Sequence, residues 1–146
     1  MPTLTIETET TSRLRLATMR LVRLLRQHAD PDSGLSQSLI STLGTIHRAG
    51  PVTLGHLAEL ERVQPPSMTR IVAQLEERSL VVREVDAADR RIARVRLTPA
   101  GAGVIAQLRT RKNEYLAARL AELSPSERAA LEAALPALEH LAGVVR

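Results

Sequence analysis

The sequence predicts a mainly α protein of the α+β class, a series of helices interrupted once by a short β hairpin. Three observations carry this. Apolar residues recur at helical spacing in six stretches, whereas between Leu80 and Leu97 the period shortens to two. With no Phe, no Trp and one Tyr (Tyr115), the core must come from Leu, Val, Ile and Ala, which suits helix-on-helix packing. At 146 residues, 44% hydrophobic and 25% charged, the chain has a globular balance and can bury roughly 70% of its unfolded surface without a disulfide or metal staple.

The first helix is expected from Thr11 or Ser12 to about His28. Leu14, Ala17, Leu21, Leu24 and Leu25 form its stripe, His28 continues it, and Arg15, Arg20, Arg23 and Arg26 lie elsewhere. Residues 1–11 are expected to be disordered. The cluster Asp30-Pro31-Asp32-Ser33-Gly34 reads as a turn. A second helix follows from Ser36 to Ala49, with Leu39, Ile40, Leu43, Ile46 and His47 inward, and Gly50-Pro51 stops it. Thr53 can cap a third helix to about Arg62 that buries Leu54, Leu57 and Ala58.

After a break at Val63-Gln64, Pro65 and Pro66 are tolerated only in a first helical turn, so a fourth helix starts there and runs to about Arg78. Met68, Ile71, Val72 and Leu75 cover one face. The opposite face presents Pro66, Thr69, Arg70, Ala73 and Glu77, with Ser67 on the flank. That face is small and polar where the helix begins. Leu80–Val85 and Ile92–Leu97 read as hairpin strands around the charged turn Asp86–Arg91, with Arg94 and Arg96 outward. Thr98-Pro99 opens a long helix to about Glu122. Ser124-Pro125-Ser126-Glu127 is a capping box for a last helix, in which Pro136 predicts a kink or break.

Charge sharpens the functional reading. The net charge is +4, nineteen of the twenty basic residues are Arg, and residues 30–61 carry −3 while residues 62–96 carry +3. A basic block after an acidic one points to an anionic partner at the centre of the chain. Two helices joined by a tight break and followed by a basic hairpin make a helix-turn-helix with a β wing. An α-helix fits the B-DNA major groove, its first residues reach base edges, and its N–H dipoles favour phosphate. Short side chains at Ser67 and Thr69 allow deep entry, and Arg70 can contact guanine O6 and N7. The hairpin tip can follow the backbone or enter the minor groove, where Arg is favoured.

The stretches T-L-G-H-L-A-E-L (53–60), Q-P-P-S-M-T-R-I-V-A-Q-L-E-E-R-S-L-V-V-R (64–83), D-A-A-D-R-R (86–91) and R-L-T-P-A-G (96–101) resemble, in order and spacing, the multiple-antibiotic-resistance regulator (MarR) family. The resemblance runs from about Ser12 to Leu141. It implies a homodimeric winged helix-turn-helix with a two- to three-stranded wing (35–98) and a helical dimerisation region from the terminal helices (12–34 and 99–146). Gln64, Pro66, Ser67, Thr69 and Arg70 would face the major groove. Asp89, Arg90 and Arg91 would form the wing site, with Arg91 in the minor groove and Asp86 or Asp89 orienting the arginines. It further implies a repressor that leaves a pseudo-palindromic operator on binding a small aromatic acid or phenol between the two regions. The family commonly has Gly where Ser79 stands, so a different closure of that helix end is expected.

Other classes find less support. There is no Cys, which removes thiol catalysis, Cys-ligated zinc and thiol redox sensing, and fits a reducing, cytoplasmic setting. His28, His47, His56 and His140 form no i, i+4 pair and read as surface or core residues rather than metal ligands. No phosphate loop, H-E-x-x-H or G-x-S-x-G is present, so neither an enzyme nor a cofactor is expected, and no membrane span is. The rival reading is a winged-helix module whose basic wing docks an acidic protein.

Overall fold

A computed structural model describes residues 2–29 and 33–144. The Asp30-Pro31-Asp32 part of the expected turn lies outside the described residues. The elements are α1 (Pro2–Ala29), α2 (Gln37–Ala49), β1 (Val52–Thr53), α3 (Leu54–Glu61), α4 (Pro65–Glu77), β2 (Val81–Val85), β3 (Ala93–Leu97), α5 (Pro99–Ala121) and α6 (Pro125–Leu141). They form two compact units, residues 30–110 and residues 1–29 with 111–146.

In the 30–110 unit, α2, α3 and α4 pack around the aliphatic residues Leu39, Leu43, Ile46, Leu57, Met68, Val72 and Leu75, closed by Val52, Val81 and Val95 from the sheet. Leu43, Leu57, Met68, Val72, Leu75 and Val95 have no exposed surface, and burying each such side chain contributes ~1.5–3 kcal/mol. The three-stranded sheet has the order β1-β3-β2 and is antiparallel throughout. Val52 opposite Val95 adds the short third strand to the hairpin.

Threonines take inward places on α2 that the sequence reading gave to others. Thr42 and Thr45 are buried, whereas His47 is exposed and its Nε2 lies 3.2 Å from Arg109 Nη2. Thr45 is accommodated because its hydroxyl donates to Glu61, which also accepts from Ser41 Oγ at 2.7 Å. A period count ranks Thr as polar and cannot foresee a carboxylate arriving from α3.

The ends of α3 and α4 set the path into and out of the reading helix. Arg62 (φ 53) and Ser79 (φ 58) both adopt the left-handed conformation. At the end of α4, the Ser79 N–H donates to Glu76 O at 2.8 Å and the Leu80 N–H to Leu75 O at 3.0 Å, a Schellman closure with Leu80 and Leu75 both in the core. The different closure expected at Ser79 is therefore not found. Serine takes the glycine conformation because these two bonds and the buried Leu80 fix the turn.

Behind that turn, Thr98 Oγ1 donates to Ser79 O at 2.6 Å and accepts from the Gly101 N–H at 3.1 Å. At Gly101 a Cβ would stand 2.0 Å from Leu80 O, so only glycine permits α5 to approach so closely.

In the other unit, α1 starts at Pro2, not at Thr11, so residues 2–11, expected to be disordered, are helical. After Pro2, at the helix start, no Gly or Pro interrupts it before residue 30. His28 stacks on Tyr115, ring centroids 4.0 Å apart and planes 16° apart. Ser124 caps α6 in a full capping box with Glu127. Helix α6 is continuous through Pro136, so the expected break does not occur; Pro136 is exposed, and water can take the carbonyl its missing N–H leaves free. The apolar stripe of α1 is uncovered within one chain, with Leu14 40% and Leu21 41% exposed, and α6 buries no residue.

Candidate nucleic-acid interface

The site starts from how α4 begins. Thr53 Oγ1 caps α3 by accepting from the His56 N–H at 3.3 Å, and the left-handed Arg62 turns the chain so that Gln64 becomes the N-cap of α4. Burial of Met68, Val72 and Leu75 fixes the helix rotation. The opposite face must then point away from the core. Gln64, Pro66, Ser67, Thr69 and Arg70, the five residues expected to read the major groove, are all exposed. Among the described residues Arg70 has neither ion pair nor hydrogen bond.

One expectation is corrected here. Pro65 and Pro66 have no N–H, and the Ser67 and Met68 N–H groups both donate to Gln64 O, at 2.9 and 3.1 Å. The first turn of α4 therefore offers no free N–H to a phosphate, although helix starts usually do. Side chains carry the site instead.

The wing is braced by carboxylates. Asp86 Oδ1 accepts from the Ala88 and Asp89 N–H groups at 2.8 and 3.3 Å, and Oδ2 accepts from Arg94 Nε at 3.2 Å. Asp89 grips Arg91 with both oxygens, Nε at 3.1 Å and Nη2 at 3.1 Å, and also accepts the Arg91 N–H at 3.0 Å. Of the two acids considered for orienting the tip, Asp89 holds Arg91 and Asp86 holds the turn and Arg94. The Ala88 N–H, then Arg94, holds the Asp86 carboxyl below the usual range, and the Arg91 side chain does so for Asp89. The Arg91 pKa is raised in return.

Two further pairs were not legible in advance. Glu84 and Arg96 meet at 2.5 Å across the strands, and Arg83 Nε lies 3.0 Å from Glu76 Oε2 on α4. In register Glu84 faces Arg94 and Val82 faces Arg96, so the pairing is diagonal. Only the geometry of the turn, which gives Arg94 to Asp86, explains the choice. The Arg96 bond holds Glu84 below its ordinary value. Arg90, by contrast, is exposed and has no carboxylate partner among the described residues. The hairpin thus holds Arg83, Arg91, Arg94 and Arg96 in place and leaves Arg90 free. Solvent screens exposed pairs of this kind and leaves them weak, so an incoming phosphate can displace a carboxylate at little cost.

Among the described residues no three His, Asp or Glu side chains gather as a metal site, and no helix is long and apolar enough to cross a membrane. The helix pair α3–α4, with its small-residue outward face and the arginine-rich hairpin beside it, defines a winged helix-turn-helix protein of the DNA-binding, transcription-regulating class.

Known proteins agree with that class. The MarR family model matches residues 35–93. An HTH-type transcriptional regulator of Mycobacterium tuberculosis is 43% identical over 123 residues, 84% of this chain and 85% of its own length. A crystal structure of a Pseudomonas aeruginosa protein assigned as a transcriptional regulator superposes with TM-score 0.82 at 32% identity, over 94% of this chain and 96% of that one. MepR of Staphylococcus aureus, at 20% identity, shares the fold. One of its mutants, bound to an oligodeoxyribonucleotide, gives TM-score 0.70 over 93% and 98% of the two chains, and its complex with ethidium bromide gives 0.63 over 92% and 96%. The chain belongs to the MarR family. It is a DNA-binding transcriptional regulator and not an enzyme.

Proposed function

We propose that the protein works as a homodimeric repressor on a pseudo-palindromic operator, α4 of each copy in a major groove and each wing tip at the adjacent minor groove. The observation that carries this reading is the joint exposure of Gln64, Pro66, Ser67, Thr69 and Arg70 beside a hairpin whose Arg91 is pre-oriented by Asp89. Arg70 reads guanine, Arg91 enters the minor groove and Arg90 neutralises phosphate. Pairing of two copies is supported by apolar side chains that one chain leaves bare, among them Met19 at 61%, Leu135 at 47% and Leu141 at 70% exposure. Two-fold symmetry then places half-site centres ~10 bp apart.

Release by a small aromatic or phenolic ligand completes the proposal; MepR, which shares the fold, has been captured both with DNA and with a planar aromatic cation. The test is fluorescence anisotropy on duplexes that the full-length protein selects from a random library. Affinity should fall steeply with salt while preference over bulk DNA persists. Arg70→Ala should cost ~1–3 kcal/mol and relax one base position per half-site. Equal and equally selective binding by Arg70→Ala would remove that residue from the reading set. Weak, unselective duplex binding would favour a protein-docking wing.

A further inference from the structure

Deepening the reading just given, and resting on it, we propose that α4 selects its operator chiefly through thymine C5-methyl groups, contacted by an apolar strip of Pro66, Thr69 and Ala73, with Arg70 supplying the guanine contact beside them. The hydrogen-bonding capacity of the reading face supports this. Pro65 and Pro66 have no N–H, and the next two N–H groups are bound to Gln64 O. Thr69 looks like a hydroxyl donor in the sequence, but its Oγ1 donates to Pro65 O at 3.0 Å. Its hydrogen is therefore committed, and it offers a groove its methyl group and oxygen lone pairs. The donors left are the Arg70 guanidinium, the Ser67 hydroxyl and the Gln74 amide toward the flank, and the Gln64 amide.

On the outward face Pro66, Thr69 and Ala73 stand within about 60° of one another in helical projection. Pro66 and Thr69 are exposed and Ala73 is half-exposed. The strip is ~10 Å long at 1.5 Å per residue, comparable to three base-pair rises of 3.4 Å. The first acidic side chain on this face, Glu77, lies ~16 Å along the axis from Pro66, too far to accept from a cytosine amino group read by the first turns. In the major groove only thymine presents a methyl group to such a strip. Burying one methyl strengthens binding about fourfold.

The experiment uses the full-length protein and two synthetic duplexes, the sequence it selects from a random library and its twin with deoxyuridine replacing every thymidine. A scrambled duplex given the same replacement sets the baseline. One contacted methyl in each of two half-sites predicts a loss of roughly tenfold or more for the twin, at the single-methyl strength used above, with no change for the scrambled pair. Thr69→Ser keeps the hydroxyl and its bond to the Pro65 carbonyl but lacks the methyl, so it should show a markedly smaller loss between the duplexes. Equal binding of both twins, with selection over bulk DNA intact, would overturn methyl reading and leave the DNA-binding reading standing. An undiminished loss in Thr69→Ser would overturn the part assigned to Thr69. If no sequence is selected over bulk DNA, both readings fall.

Discussion

Ser79→Gly should stabilise this protein, which is unusual for a substitution that removes a side chain. Ser79 occupies the first position beyond the C-cap of α4 at φ 58, and its side chain is exposed. Ser79 takes part in the turn through its backbone alone, with Ser79 N–H donating to Glu76 O and Ser79 O accepting from Thr98 Oγ1, beside the Leu80 N–H to Leu75 O bond. Glycine keeps all three bonds. A left-handed conformation costs a residue with a Cβ ~1–2 kcal/mol, and the greater freedom of glycine in the unfolded chain offsets ~0.5–1 kcal/mol of the relief.

The net gain is about 0.5–1 kcal/mol, or roughly 2–3 °C in Tm at this chain length. Thermal unfolding followed by circular dichroism, at one fixed protomer concentration, measures it. Ser79→Ala keeps the Cβ and should gain nothing. The sixth helix provides an internal comparison, since it closes with the same bond pattern on Gly143 at φ 70. A glycine variant no more stable than wild type, or an alanine variant as stable as the glycine variant, would refute the argument that Cβ strain resides at this turn.

Other outcomes follow from the same geometry. Gly101→Ala forces a Cβ to 2.0 Å from Leu80 O, backbone against helix, and should cost at least ~2 kcal/mol in urea unfolding, at the upper end of ordinary overpacking. The acid limb of stability should belong partly to the wing. The Ala88 N–H and Arg94 hold Asp86, the Arg91 side chain holds Asp89, and Arg96 holds Glu84, each below its ordinary carboxylate value. Their contribution is therefore fully present above the ordinary carboxylate range and is lost as pH falls through the depressed folded values. Urea midpoints measured from pH 6 down to pH 3 should drop less steeply in Asp86→Asn/Asp89→Asn than in wild type. Leu131→Glu with Leu135→Glu, placing charge on two α6 positions 37% and 47% exposed in one chain, should yield a helical monomer by sedimentation, where the proposed dimer predicts twice 16.0 kDa for the wild type. A dimeric double variant would move the interface away from α6.

By itself the sequence determined the order of helices and hairpin, because apolar spacing and turn residues act locally. The 3.6 period of Met68, Val72 and Leu75 and the double proline at its start were enough to place the exposed face of α4. Alternation at Val95 against Arg94 and Arg96 was enough to place the wing. What tertiary structure decided was the fate of individual polar atoms. Thr45 is buried with its hydroxyl satisfied because Glu61 reaches it from another helix, and His47 lies outside. Arg94 pairs with Asp86 instead of the facing Glu84 because the turn brings Asp86 back to it. The hydroxyl of Thr69 is consumed by its own helix. A hydrogen bond depends on ångström-scale distance and direction between groups remote in the chain, and hydrophobic patterning, which is non-directional, carries no record of it.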